Sequence, residues 1–195
     1  MHLVCLLTST PFLVLTFLVA EKLEDLELTV DRTLGAKTAD VEVQKKVTLD
    51  YTIAAAETFS QLPSSSSPME KATPRPLPFR FVFTSGILAV RDQSKTLLFA
   101  SGARHIKGDA ENKLLDFTAE HKEAFGAIVV RPGAVLANGG RLAGVAACVG
   151  APAVSVQGLA AVMVELALKG ADEKVWENKE LAARGKELLK AQEGM

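Results

Sequence analysis

A chain of 195 residues with a formal net charge of −1 and a pI near 6.3 can bury one sizeable core and carries no basic excess that would attract nucleic acid. Two cysteines, Cys5 and Cys148, cannot build a disulfide framework, and His2, His105 and His121 are too scattered to assemble a metal cluster. Few aromatics and much Ala, Val and Leu favour an α/β layer protein over a β-sandwich.

Residues 1–20 (MHLVCLLTSTPFLVLTFLVA) form an apolar leader without Asp, Glu, Lys or Arg. Three readings fit it equally. It is a membrane span, since ~20 helical residues rising ~1.5 Å each cross a hydrocarbon core of ~30 Å. It is a signal peptide ending at Ala20, although it lacks a basic start and Leu18 is not small. Or it is a buried strand or helix of the domain. Pro11 would kink a spanning helix. The expected localisation is accordingly cytoplasmic or membrane-associated.

Residues 21–195 read as one domain. Residues 21–35 pass from charged to alternating and suit a short strand before Leu34-Gly35. Residues 40–60 read as a helix with Asp40 as N-cap and Val43, Val47, Ile53, Ala54 and Phe59 roughly on one face. Residues 61–78, with four serines and five prolines, are a surface loop. Phe79–Thr84 is a short continuous apolar run, as expected of a parallel strand buried on both faces. Ala103–Glu120 reads as a helix whose buried stripe is Ile106, Ala110, Leu114 and Phe117. Ala127–Val130 is the next buried strand. Arg141–Val149 and Leu159–Lys169 read as helices, with a strand at Ala153–Val156 between them and Gly170 ending the second. Asp172–Gln192 closes the chain as one amphipathic helix carrying Trp176. Strands alternating with helices predict a parallel sheet flanked by helices.

Three positions carry candidate chemistry. Ser85 follows the Phe79–Thr84 strand, at the carboxyl end where open α/β sheets hold ligands, and its hydroxyl can orient a substrate carbonyl. The plainer reading is a Ser-Gly turn. Lys107 lies early in the following helix, where an ammonium can bind a ribose and lower the pKa of a neighbouring phenol; the plainer reading is a solvated charge. Arg131-Pro132-Gly133 ends the next strand, and its Pro-Gly lets a flat ring approach the backbone, or simply makes a turn.

In this order, strand–Ser, helix–Lys and strand–Pro-Gly, the segment resembles the atypical or extended short-chain dehydrogenase/reductases, particularly fungal NAD(P)-binding, nucleoside-diphosphate-sugar-epimerase-like proteins. The matching pieces are LGAKTAD (34–40), VTLDYTIAAAETF (47–59), FRFVFTSG (79–86), RDQSKTLLFASGARHIKGDAENKLLDF (91–117), VVRPGAVL (129–136) and VQGLAAVMVELALKG (156–170), about four fifths of the chain. The resemblance implies a Rossmann-like parallel sheet holding NAD or NADP across its strand ends. It makes Ser85 and Lys107 the catalytic residues, and Gly35, Thr84, Lys107, Pro132 and Gly133 the cofactor-binding ones. The implied substrate is a small carbonyl or alcohol, or a sugar nucleotide.

Departures from the family pattern are specific. Ala103 stands four residues before Lys107, where the family has its proton-donating tyrosine, and the single tyrosine, Tyr51, matches no catalytic position. Thr48 stands where extended members carry an asparagine. The glycine-rich phosphate loop and the first βαβαβ half have no room before Leu34, and NGGRLAG (138–144) follows the wrong strand to replace them. The expectation is therefore a partial, N-terminally truncated Rossmann-like domain of doubtful intrinsic activity. The alternative is a pseudoenzyme or interaction protein, self-associating through an uncovered sheet edge or attached to a membrane by residues 1–20. The apolar leader is a candidate cover for that edge.

Overall fold

A computed structural model describes residues 2–5, 16–20, 29–32, 40–61, 78–136 and 152–194, the first three of these segments as backbone only. Six strands share one sheet. In chain order they are β1 (His2–Cys5), β2 (Thr16–Ala20), β3 (Thr29–Arg32), β4 (Phe79–Thr84), β5 (Phe125–Arg131) and β8 (Val175–Glu177), and this is also their spatial order. β1 with β2 and β2 with β3 pair antiparallel. β3 with β4, β4 with β5 and β5 with β8 pair parallel. Two further strands, β6 (Ala134–Leu136) and β7 (Ala153–Ser155), form a separate parallel pair.

Each parallel connection needs a crossover, and helices supply it. Between β3 and β4 run α1 (Val41–Lys45), a π-helical segment (Lys46–Asp50) and α2 (Tyr51–Ser60), in unbroken succession. α3 (Ser101–Glu120) joins β4 to β5; α4 (Val156–Lys169) lies between β5 and β8; α5 (Asn178–Glu193) follows β8.

The period of two along β4 and β5 decides which helices each residue meets. Phe79, Phe81, Phe83, Phe125, Ala127 and Val129 face α2 and α3, packing with Leu49, Ala56, Ile106, Ala110 and Leu114. Val82, Ile128 and Val130 face α4 and α5, packing with Leu159, Val162, Met163, Leu166 and Leu181. The result is a three-layer α/β/α core around β4, β5 and β8. Phe125 meets three rings, with centroids 6.1 Å from Phe79, 5.6 Å from Phe81 and 5.1 Å from Phe117, the last edge-on. Such ring pairs add about 0.5–1.5 kcal/mol each beyond their burial. Arg80 points to the opposite face and donates to the carbonyls of Ala167 and Leu168 at the end of α4.

The α/β expectation holds, with a parallel sheet between helices. Asp40 caps α1, accepting from the backbone N–H of Glu42 and Val43. The buried face of the 41–60 helix differs from expectation. Ile53 and Phe59 pack against the core as expected, but Ala54 is exposed, and Thr48, Leu49, Thr52 and Ala56 are the buried residues. The π-helical segment adds a residue to one turn, which turns the helix beyond it and takes a strict 3.6-residue register off the line of the buried face. The expected single helix over Asp172–Gln192 is also corrected. Val175 and Trp176 pair with Val129 and Val130 as β8, and α5 begins only after Glu177. A capping box, Glu177 with Glu180, sets that boundary.

Gly170 ends α4 at φ +73°, as its position suggested. Within the leader, two segments are strands, β1 and β2, and β2 lies along the outer edge of β3. Among the described residues no helix is long and apolar enough to cross a membrane. Gly35, residues 62–77 of the Ser/Pro-rich loop, the expected helix 141–149 and NGGRLAG lie outside the described residues.

Candidate functional site

The carboxyl ends of β4 and β5 lie side by side because the strands are parallel and in register from Phe79↔Phe125 to Thr84↔Val130. The backbone continues that contact beyond the sheet. Ser85 N donates to Val130 O at 2.8 Å, and Ile87 N donates to Pro132 O at 3.0 Å. Ser85 and Pro132 are both buried. Lys107 arrives from α3, its Nζ donating to the Ser85 carbonyl at 3.1 Å. Ser85, Lys107 and Pro132-Gly133 thus share one rim.

Two predicted positions have different surroundings. Thr84 alternates to the other face of the sheet, where its hydroxyl is directed at Met163 Sδ, 4.0 Å away on α4. Gly133 N donates to Asn178 Oδ1 at 2.8 Å, and a Cβ there would stand 2.1 Å from Pro152 O. The glycine is therefore required by the entry into β7, and the space beside it is already filled by backbone.

At the centre of the rim lies Glu111, one turn beyond Lys107 on α3 and with its side chain fully buried. Ser85 Oγ donates to Oε1 at 2.5 Å. Arg91 Nε donates to Oε2 at 2.8 Å. Arg131 grips both oxygens, Nε on Oε1 at 2.9 Å and Nη2 on Oε2 at 2.5 Å. These four bonds occupy the roughly four lone-pair directions a carboxylate offers. Arg131 Nη1 then donates to Glu177 at 2.9 Å, linking the rim to the head of α5. Burial alone would raise the Glu111 pKa, but hydrogen bonds from Arg131, Ser85 and Arg91, with the charge of Arg131, outweigh it and hold the carboxyl below its ordinary value. Arg131 is held more firmly protonated by its bonds to Glu111.

Lys107 shows the opposite balance. Burial lowers its pKa, and the charge of Glu111 opposes that shift without cancelling it. This lysine is therefore not the freely solvated charge of the plainer reading.

The arrangement sets what each group can do. A serine has one proton to donate, and that of Ser85 is committed to Glu111. Lys107 has three donors, of which one lies on Ser85 O. Among the described residues, Lys107 therefore keeps N–H capacity for a ligand oxygen, and so does Arg91, whose Nη2 is buried without a hydrogen-bond partner.

Glu111, Arg91 and Glu177 did not emerge from the sequence reading. A signal existed: Glu111 lies beside the stripe residues Ala110 and Leu114, a position where an unpaired carboxylate is costly, and Arg131 ends a buried strand. Comparison with protein-family models and with curated protein sequences yields no match for this chain.

Proposed function

We propose that this is an NAD(P)-binding, Rossmann-like domain protein related to short-chain dehydrogenase/reductase oxidoreductases or sugar-nucleotide epimerases, with slow or absent hydride transfer of its own. The observation that carries the reading is the meeting of Ser85, Lys107 and Pro132-Gly133 at the carboxyl ends of adjacent parallel strands. That edge is where open α/β sheets bind ligands. Lys107 suits a ribose hydroxyl, because a desolvated ammonium with free N–H groups makes a charge-assisted bond to an oxygen acceptor. When bound, the dinucleotide supplies or accepts the hydride.

Low turnover follows from the proton inventory. Ala103 occupies the position where the resembled family has a tyrosine, and the hydroxyl proton of Ser85 is engaged in its hydrogen bond to Glu111. No described side chain beside Lys107 is thereby left to protonate a substrate oxygen. NADPH fluorescence titration tests the proposal: saturable binding is expected, lost in Lys107→Met. No saturation at millimolar NADPH would reject it.

A second reading, an interaction protein, has one observation in its favour. Leu88, Leu98 and Phe99 are exposed, Leu98 completely, and Arg104 links two of them, its Nε donating to Leu88 O and its guanidinium lying 5.0 Å from the Phe99 ring centroid. Exposed apolar groups gathered in one place mark contact surfaces. A strictly monomeric mass at high concentration, together with NADPH binding, would exclude association through this patch as the main role.

A further inference from the structure

We propose that Glu111 is the positioning residue of the strand-end rim, locking the loop after β4, the end of β5 and the ammonium of Lys107 into one unit. The inference deepens the cofactor-binding reading and rests on it only for what the rim binds.

The loop from Ser85 to Arg91 is tied to Glu111 at both ends, by Ser85 Oγ and by Arg91 Nε. α3 adds a third tie, with Asn112 Nδ2 donating to Arg91 O at 3.0 Å. β5 is tied to the same carboxylate through the two-pronged contact of Arg131. Lys107 bonds the Ser85 carbonyl, so whatever fixes that loop fixes the anchor of the ammonium. The ionic groups around Glu111 come from each packed element: Arg91 from the loop, Lys107 from its own helix, Arg131 from β5 and, one step further, Glu177 from the end of β8. Because the carboxylate is fully desolvated, its field reaches Lys107 with little water to screen it.

The test follows Lys107 directly. The chain is labelled with ε-13C-lysine, the Lys107 resonance is assigned with Lys107→Arg, and its titration midpoint is read by NMR. Glu111→Gln removes the charge that favours the ammonium, so the midpoint should fall by about half a unit or more. Arg91→Gln, at the most exposed of the carboxylate's cations, leaves Glu111 less neutralised, so the midpoint should rise. Opposite shifts support the proposal; a side chain that merely fills space moves neither. If Glu111→Gln does not fold, Arg91→Gln decides alone. NADPH titration runs in parallel, with Glu111→Gln expected to weaken binding about tenfold, the equivalent of one charge-assisted hydrogen bond. Failure of the unaltered chain to bind NADPH would overturn the cofactor reading, whereas unmoved or reversed lysine midpoints would overturn the role of Glu111.

Discussion

Gly108 sits in the middle of α3, next to Lys107, and is buried. A Cβ added there would stand 1.8 Å from Val90 O and 2.3 Å from Val90 C. The obstacle is backbone, so no side-chain rotation can relieve it. The loop carrying Val90 is also held in place, with Val90 N donating to Arg104 O at 3.1 Å and Arg91 bonded to Glu111. Two effects compete in Gly108→Ala. Helix propensity favours alanine by about 1 kcal/mol. Overpacking of this severity costs about 3 kcal/mol, the upper end of the usual range. The clash wins, and a net loss of about 2 kcal/mol is expected. Gly102 in the same helix supplies the control, since its added Cβ would meet only Val41 side-chain atoms at 3.4 Å and 3.7 Å. Gly102→Ala should be neutral or stabilising by up to about 0.5 kcal/mol. Urea unfolding followed by far-UV circular dichroism and by the single tryptophan, Trp176, measures both variants. Gly108→Ala as stable as the unaltered chain would refute the close approach of α3 to this loop.

Two further expectations concern the α4 side of the sheet. Gly170 has φ +73° and ψ −174°, a region essentially reserved for glycine, and an added Cβ would lie 3.0 Å from Arg80 Nε; Gly170→Ala should cost about 1–3 kcal/mol in thermal or urea unfolding. Arg184 of α5 grips Glu165 of α4 with Nε at 2.7 Å and Nη2 at 2.5 Å, and the Glu165 pKa is lowered to about 2 from an ordinary 4.5 by the Arg184 hydrogen bonds, against the opposing effect of burial. A carboxylate whose folded pKa is depressed stabilises the fold above its unfolded pKa and loses that contribution as pH falls towards the folded value. The stability gap between the unaltered chain and Arg184→Gln should therefore be full above pH 4.5 and shrink as pH falls towards about 2. A gap that does not change over that window would contradict the pairing.

The site was partly legible for the same reason as the fold. Ser85, Lys107 and Pro132-Gly133 stood out because each sits at a recognisable boundary, a strand end or the first turns of a helix, and boundaries are written in local residue types. Parallel pairing then had to bring the two strand ends together. Glu111 escaped notice because its partners lie 26, 20 and 20 residues away in sequence, at Ser85, Arg91 and Arg131. A carboxylate on a helix carries no local sign that three donors will enclose it. β8 was hidden similarly: Val-Trp-Glu is too short for a period of two to declare itself, and it becomes a strand only because β5 offers an edge.

Local chemistry alone thus determined the alternation of strands and helices, the Asp40 cap, the Gly170 stop and the apolar runs that became β4 and β5. Tertiary structure decided which face of the 41–60 helix is buried, that Thr84 and Ser85 face opposite layers, and that the Ser85 hydroxyl proton is engaged in its hydrogen bond to Glu111. The physical reason is range. Periodicity and capping act over a few residues, whereas the partner of a buried charge is chosen by whatever the folded sheet sets beside it.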